Sequence, residues 1–139
     1  MVCLGAKSVA LAKKASRRFA RMIQKLGYDV SFKNFTVRNL VGRCHIDSSI
    51  PLEKFVVFLS RIDSVTASWN PELFPSLTYR LSGDTSKVSL NVFKTGKVTI
   101  TGAKRHSEMV EIFNHFYQIF VDFKRKMLIE KLRKCKVKI

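Results

Sequence analysis

The opening of this chain recurs close to its C-terminal end. Met1-Val2-Cys3-Leu4-Gly5-Ala6-Lys7 aligns with Val98-Thr99-Ile100-Thr101-Gly102-Ala103-Lys104, displaced by 97 residues. Each copy reads as a short strand, then Gly-Ala-Lys, then an amphipathic helix. A repeat constrains the fold more than composition does, because the same passage from strand to helix is built twice. The second copy is complete, and the first is only its tail. The expected division is a last strand and helix of a truncated first repeat over residues 1–27, a complete second repeat over 28–127, and a basic C-terminal extension over 128–139.

Hydrophobic periodicity fills in the elements. A helix is expected from Ser8 to Leu26, closed by Gly27 in a left-handed cap, with Leu11, Ala15, Phe19, Met22 and Leu26 as its apolar stripe. Alternation from Phe32 to Arg43 predicts a strand. A second helix starts near Ser49 with Pro51 in its first turn, burying Phe55, Phe58 or Leu59, and Ile62. Two prolines in Trp69–Pro75 mark a turn. Strands follow at about Leu77–Leu81, Lys87–Phe93 and Lys97–Thr101, joined by hairpins at Ser82-Gly83-Asp84 and Thr95-Gly96. The last helix begins near His106, carries Met109, Phe113, Phe116, Phe120, Phe123 and Met127 at steps of four and three, and frays toward Ile139.

Composition enters through charge. The 139 residues include 26 basic and 10 acidic side chains, a net charge of +16. Residues 1–27 and 124–139 each carry a net +7, whereas the body between them is nearly neutral. Such a balance points to nucleic acid or an acidic surface as partner. The longest purely apolar run, Phe55–Leu59, is far short of the roughly 18 residues of a membrane span, so no membrane partner is expected. Lys7, Lys13 and Lys14 interrupt any secretory pattern. Cys3, Cys44 and Cys135 match no zinc spacing and suit a reduced, intracellular chain.

Ala20-Arg21-Met22-Ile23-Gln24-Lys25-Leu26-Gly27, Val37-Arg38-Asn39-Leu40-Val41-Gly42, Pro71-Glu72-Leu73-Phe74-Pro75, Tyr79-Arg80 and Thr101-Gly102-Ala103-Lys104 form a set of matching stretches. Through them the chain resembles, from residue 1 to about 127, the C-terminal core of the TATA-binding protein family. The resemblance implies an α+β half saddle: a curved antiparallel sheet with two long helices on its convex face. It also implies a nuclear general transcription factor whose concave sheet enters an A/T-rich promoter's minor groove, where paired phenylalanines wedge between base steps and kink the duplex.

Carried over residue by residue, the resemblance makes Phe74 and Phe93 the wedge pair. Asn39 and Thr101 match polar groups that reach base-edge acceptors, and Val41 lines the same floor. An amide or hydroxyl donor suits an A·T minor groove, which offers only acceptors. Arg80, Lys97 and Lys104 resemble phosphate contacts, which position without reading sequence. Glu72 and Leu73 match part of the stirrup gripped by transcription factor IIB, and Arg17, Arg18, Arg21 and Lys25 resemble a surface used by other regulators. The chain departs from the pattern at Ser89, Asn91 and Thr99, where the family is apolar, at Leu4, where a threonine is expected, and at Asn70, where a second acid is expected. The first four changes share one contact surface and bear on TATA selectivity.

No catalytic constellation accompanies these features. His45, His106 and His115 lack metal-ligand spacing, no paired carboxylates share an evident cleft, and no phosphate-cradling glycine loop appears. Neither an enzyme nor a cofactor is expected. The main alternative is a truncated paralogue or fragment that binds initiation factors without bending DNA. With one wedge pair, weak binding and slight bending are expected of the chain alone. Pairing of two copies through the strand edge of the truncated repeat would give a homodimer shaped like the saddle.

Overall fold

The computed structural model describes residues 1–83 and 87–136, and the chain divides into two compact units, one from Met1 to Val37 and the other beginning at Arg38. In the first unit, α1 (Val9–Lys25) starts where the Ser8 hydroxyl accepts a hydrogen bond from the Leu11 N–H at 3.2 Å. It ends at Leu26, followed by Gly27 with φ of 91°. The helix bounds agree with the pattern, but the stripe does not. The buried or half-buried line runs through Ala12, Ser16, Ala20 and Ile23; of the expected stripe Ala15 is half-buried, whereas Leu11, Phe19, Met22 and Leu26 are exposed. Ser16 lies on that line because its hydroxyl donates to the Ala12 carbonyl at 2.9 Å, so burial leaves no polar atom unsatisfied.

One expected strand does not form, and another forms only over its last residues. No strand precedes Leu40 among the described residues, so neither Met1–Leu4 nor the stretch from Phe32 is extended into a ladder. Asn34, with φ of 53°, turns the backbone out of the extended region and ends the alternation physically. The strand begins later, as β1 (Leu40–His45).

The second unit continues with α2 (Leu52–Leu59), β2 (Val65–Ser68), β3 (Ser76–Leu81), β4 (Ser89–Phe93), β5 (Lys97–Ala103) and α3 (His106–Lys136). Strand β2 is an element that the sequence reading missed. All pairings are antiparallel, in the order β1-β5-β4-β3-β2. Pro51 is the cap residue of α2 rather than a member of its first turn. Asp84, in the expected first hairpin, and residues 137–139 lie outside the described residues.

Helices α2 and α3 both pack against one face of this curved sheet. Leu77 and Tyr79 of β3, Leu90 and Val92 of β4, and Val98 and Ile100 of β5 are buried with Phe55, Leu59, Ile112, Phe116, Phe120 and Phe123 from the two helices. The Phe55 ring centroid lies 6.1, 6.0 and 4.9 Å from those of Phe116, Phe120 and Phe123, an aromatic cluster that locks α2 to α3. The buried Tyr79 hydroxyl finds His115 Nδ1 at 2.6 Å, and burial raises the tyrosine pKa. His115 therefore satisfies a core polar group. Cys44 packs half-buried against the same core, which raises its thiol pKa.

Candidate nucleic-acid interface

Strand alternation sends every second side chain to the helix-free face. From β1 to β5 that face carries Val41 and Arg43, Thr66 and Ser68, Thr78 and Arg80, Asn91 and Phe93, and Lys97, Thr99 and Thr101. Every proposed base or phosphate contact within a strand lies on this face. The register sets Arg80 opposite Thr66 and Lys97 opposite His45.

The two candidate wedges come together at one end of the face. Before β3, the Asn70 side-chain oxygen accepts from the Glu72 N–H at 3.1 Å, and the Asn70 carbonyl accepts from Leu73 and Phe74 at 3.1 and 3.0 Å. This Asx-type turn lifts Leu73 and Phe74 into solvent, 82% and 52% exposed. Asn70, where the family pattern has an acid, is thus the residue that shapes this turn.

Phe93 arrives from the other direction, at the end of β4. Gly96 has φ of 86°, and an added Cβ there would lie 2.1 Å from the Ile46 carbonyl oxygen. Only glycine fits, and the hairpin is pinned by bonds from Ile46 to the Gly96 carbonyl and from Ile50 to the Lys94 carbonyl. Phe74 and Phe93 meet edge to face, with centroids 6.2 Å apart. Phe93 is half-buried, and Ser76 stands opposite it with its hydroxyl buried and unpartnered among the described residues.

Asn39 is oriented by the backbone. Its Oδ1 accepts from the Gly102 N–H at 2.9 Å, which identifies the oxygen and leaves both amide protons free to donate. Gly102 makes this approach with φ of 88°. Val41 is exposed, and Thr101 is half-buried with its hydroxyl 3.2 Å from that of Ser89. Lys104 stands exposed where the chain enters α3; its N–H donates to Glu108 Oε2 at 2.9 Å, and Arg105 Nε donates to Oε1 at 3.0 Å. These two bonds, the first the stronger influence, hold the Glu108 carboxyl below its usual range.

The candidate protein-partner residues fall in different units. Glu72 and Leu73 belong to the second unit, while Arg17, Arg18, Arg21 and Lys25 lie exposed on α1 in the first. The Arg17 guanidinium sits 5.3 Å from the Phe32 ring centroid, a cation–π contact within that unit. The sequence reading missed Arg43 and Thr78 on the open face. Counting in twos from Val41 reaches Arg43 directly; Thr78 follows from Arg80 in the same way.

Three comparisons bear on this geometry. Residues 34–123 match the family model described as transcription factor TFIID, or TATA-binding protein. Over 125 residues the chain is 42% identical to TATA-box-binding protein 2 of Arabidopsis thaliana, covering 90% of this chain and 60% of the relative. It is 41% identical over the same length to human TATA box-binding protein-like 2, covering 35% of that protein. Among solved structures it resembles the TBP of Methanococcus jannaschii, with a TM-score of 0.69 and 26% identity over 85% of this chain and 64% of that one. The chain therefore spans less than two thirds of each of these relatives.

Proposed function

The chain belongs to the TATA-binding protein family, and on that premise we propose that its helix-free sheet face binds the minor groove of promoter DNA in the nucleus, and that Glu72 and Leu73 recruit initiation factors such as a transcription factor IIB. The observation that carries this reading is the pairing of Phe74 and Phe93 on a face bearing Asn39, Val41, Arg80, Lys97 and Thr101, with Lys104 just beyond it. An aromatic edge replaces base stacking lost at a kinked step without needing a polar partner of its own. Asn39, its oxygen held by Gly102, presents donors alone, which is what adenine N3 and thymine O2 require. The cationic groups Arg80, Lys97 and Lys104 position the duplex through its phosphates. The relatives are transcription factors, and the same reading assigns this chain a binding rather than a catalytic role.

A fluorescence bending assay on a TATA duplex tests the proposal. The parent chain bends the duplex slightly, and Phe74→Ala/Phe93→Ala abolishes that bend while leaving the sheet folded by circular dichroism. Equal bending by parent and double variant would overturn the wedge assignment.

A second reading, an interaction module that holds initiation factors without bending DNA, is favoured by the exposure of Leu73 on its braced turn. It stands alone if the parent does not bend DNA yet captures such a factor in a Leu73-dependent way. Among the described residues no strand pairs with the outer edge of β1, the terminal strand of the sheet, and this supports a homodimer in which two copies pair through that edge. A monomeric sedimentation coefficient at micromolar concentration removes that part of the reading.

A further inference from the structure

We propose that the open sheet face accepts guanine·cytosine pairs in the minor groove, with Asn91 and its hydroxyl neighbours receiving the exocyclic amino group of guanine. The inference rests on the minor-groove reading above and deepens it by naming the sequence class the face tolerates.

The register aligns a polar row across the middle of the sheet. Thr78 of β3 stands opposite Asn91 of β4, which stands opposite Thr99 of β5, which stands opposite Arg43 of β1. One row along, Ser89 stands opposite Thr101. A face designed only for adenine·thymine pairs needs donors and apolar contact, because those pairs expose acceptors alone. This row carries acceptors as well.

Atom by atom, the row can accept a donor from the groove as well as give one. The Thr78 hydroxyl donates to Asn91 Oδ1 at 3.3 Å, which fixes that oxygen in the row and leaves its second lone pair free. The Ser89 and Thr101 hydroxyls share one hydrogen bond, so one proton is spent internally while lone pairs on both oxygens remain. Ser89 is buried, Asn91 and Thr101 are half-buried, and the Ser76 hydroxyl in the next row is buried and unpartnered among the described residues. These groups are already partly dehydrated; their remaining protons, the two on the Asn91 amide among them, serve adenine N3 or thymine O2, while their remaining lone pairs can receive a donor. The guanine amino group is the one donor in the groove floor, and those lone pairs give it a partner. An apolar floor would bury that amino group with no partner, which is how such a surface rejects guanine.

The test separates the amino group from every other feature of the base pair. Anisotropy competition at one salt concentration compares an adenine·thymine duplex with duplexes carrying inosine·cytosine or guanine·cytosine at each central position in turn. Inosine lacks only the exocyclic amino group. The chain is expected to bind all three within about threefold, and Asn91→Val is expected to weaken guanine·cytosine about tenfold more than either of the other two. Binding by the unmodified chain that is tenfold weaker for guanine·cytosine than for inosine·cytosine overturns the inference but leaves the minor-groove reading standing. Equal weakening of all three duplexes by a folded Asn91→Val chain also overturns it. Failure to bind any duplex removes both. The inosine comparison needs no variant, and Thr99→Val offers a second substitution in the row should Asn91→Val fail to fold.

Discussion

The two Gly-Ala-Lys segments are one local structure in two settings. Gly5 and Gly102 have φ of 84° and 88°, and helices begin four residues after each, at Val9 and His106. Beyond that the segments part. Gly102 belongs to β5, and an added Cβ would lie 2.1 Å from the Lys87 carbonyl oxygen; at Gly5 nothing lies within 4 Å. Phe19 and Phe116 occupy matching positions in α1 and α3, yet they are 48% and 0% exposed. A motif of neighbours specifies the turn and the start of the helix. A ladder and a buried stripe must be supplied by residues elsewhere.

The contrast is sharpest in the helices. Phe116→Ala is expected to lower stability by about 3–5 kcal/mol in urea denaturation, and Phe19→Ala by under about 1 kcal/mol. Similar losses at the two positions would show that α1 is as firmly engaged as α3. The glycines come next. Gly102→Ala should cost about 2–4 kcal/mol, since a backbone clash adds to the left-handed penalty of about 1–2 kcal/mol that Gly5→Ala incurs alone. Matching losses there would mean that β5 yields to the intruding methyl group.

The smallest difference concerns how the helices begin. The entry to α1 is capped by the Ser8 hydroxyl, which does not titrate, while α3 depends on the ionised Glu108 carboxylate. Because the folded pKa of Glu108 is lowered, its stabilisation is complete above the ordinary carboxylate value and is lost as pH falls through the lowered one. Hydrogen-exchange protection at the Lys104 amide should therefore fall as the pH drops below the ordinary carboxylate range, while that at Leu11 holds. Parallel loss at both amides would assign the change to general acid unfolding.

Much of the site was legible because its signals are local. Phe74 stands in a proline-flanked turn and Phe93 precedes a Lys-Thr-Gly hairpin, so both read as exposed ends. What could not be read was the cross-strand company. That Asn39 is held by Gly102, or that Asn91 receives the Thr78 hydroxyl, depends on register between distant strands. Strand β2 escaped notice because Val65-Thr66-Ala67-Ser68 is too short to display a period; its pairing with β3 is what makes it a strand. The reverse error arose at Phe32–Asn39, where an alternating run forms no strand.

By itself the sequence determined the left-handed cap at Gly27, the hairpin turn at Gly96, the limits of α1, the aromatic stripe of α3, and the alternation that sorts each strand's side chains onto two faces. Only the tertiary structure decided which extended runs became strands, which apolar stripe was covered, and that Phe74 and Phe93 would meet beside a polar row. Dihedral preference and periodicity reside in a residue and its neighbours. Ladder bonds, burial and the pairing of donors with acceptors need partners brought from tens of residues away.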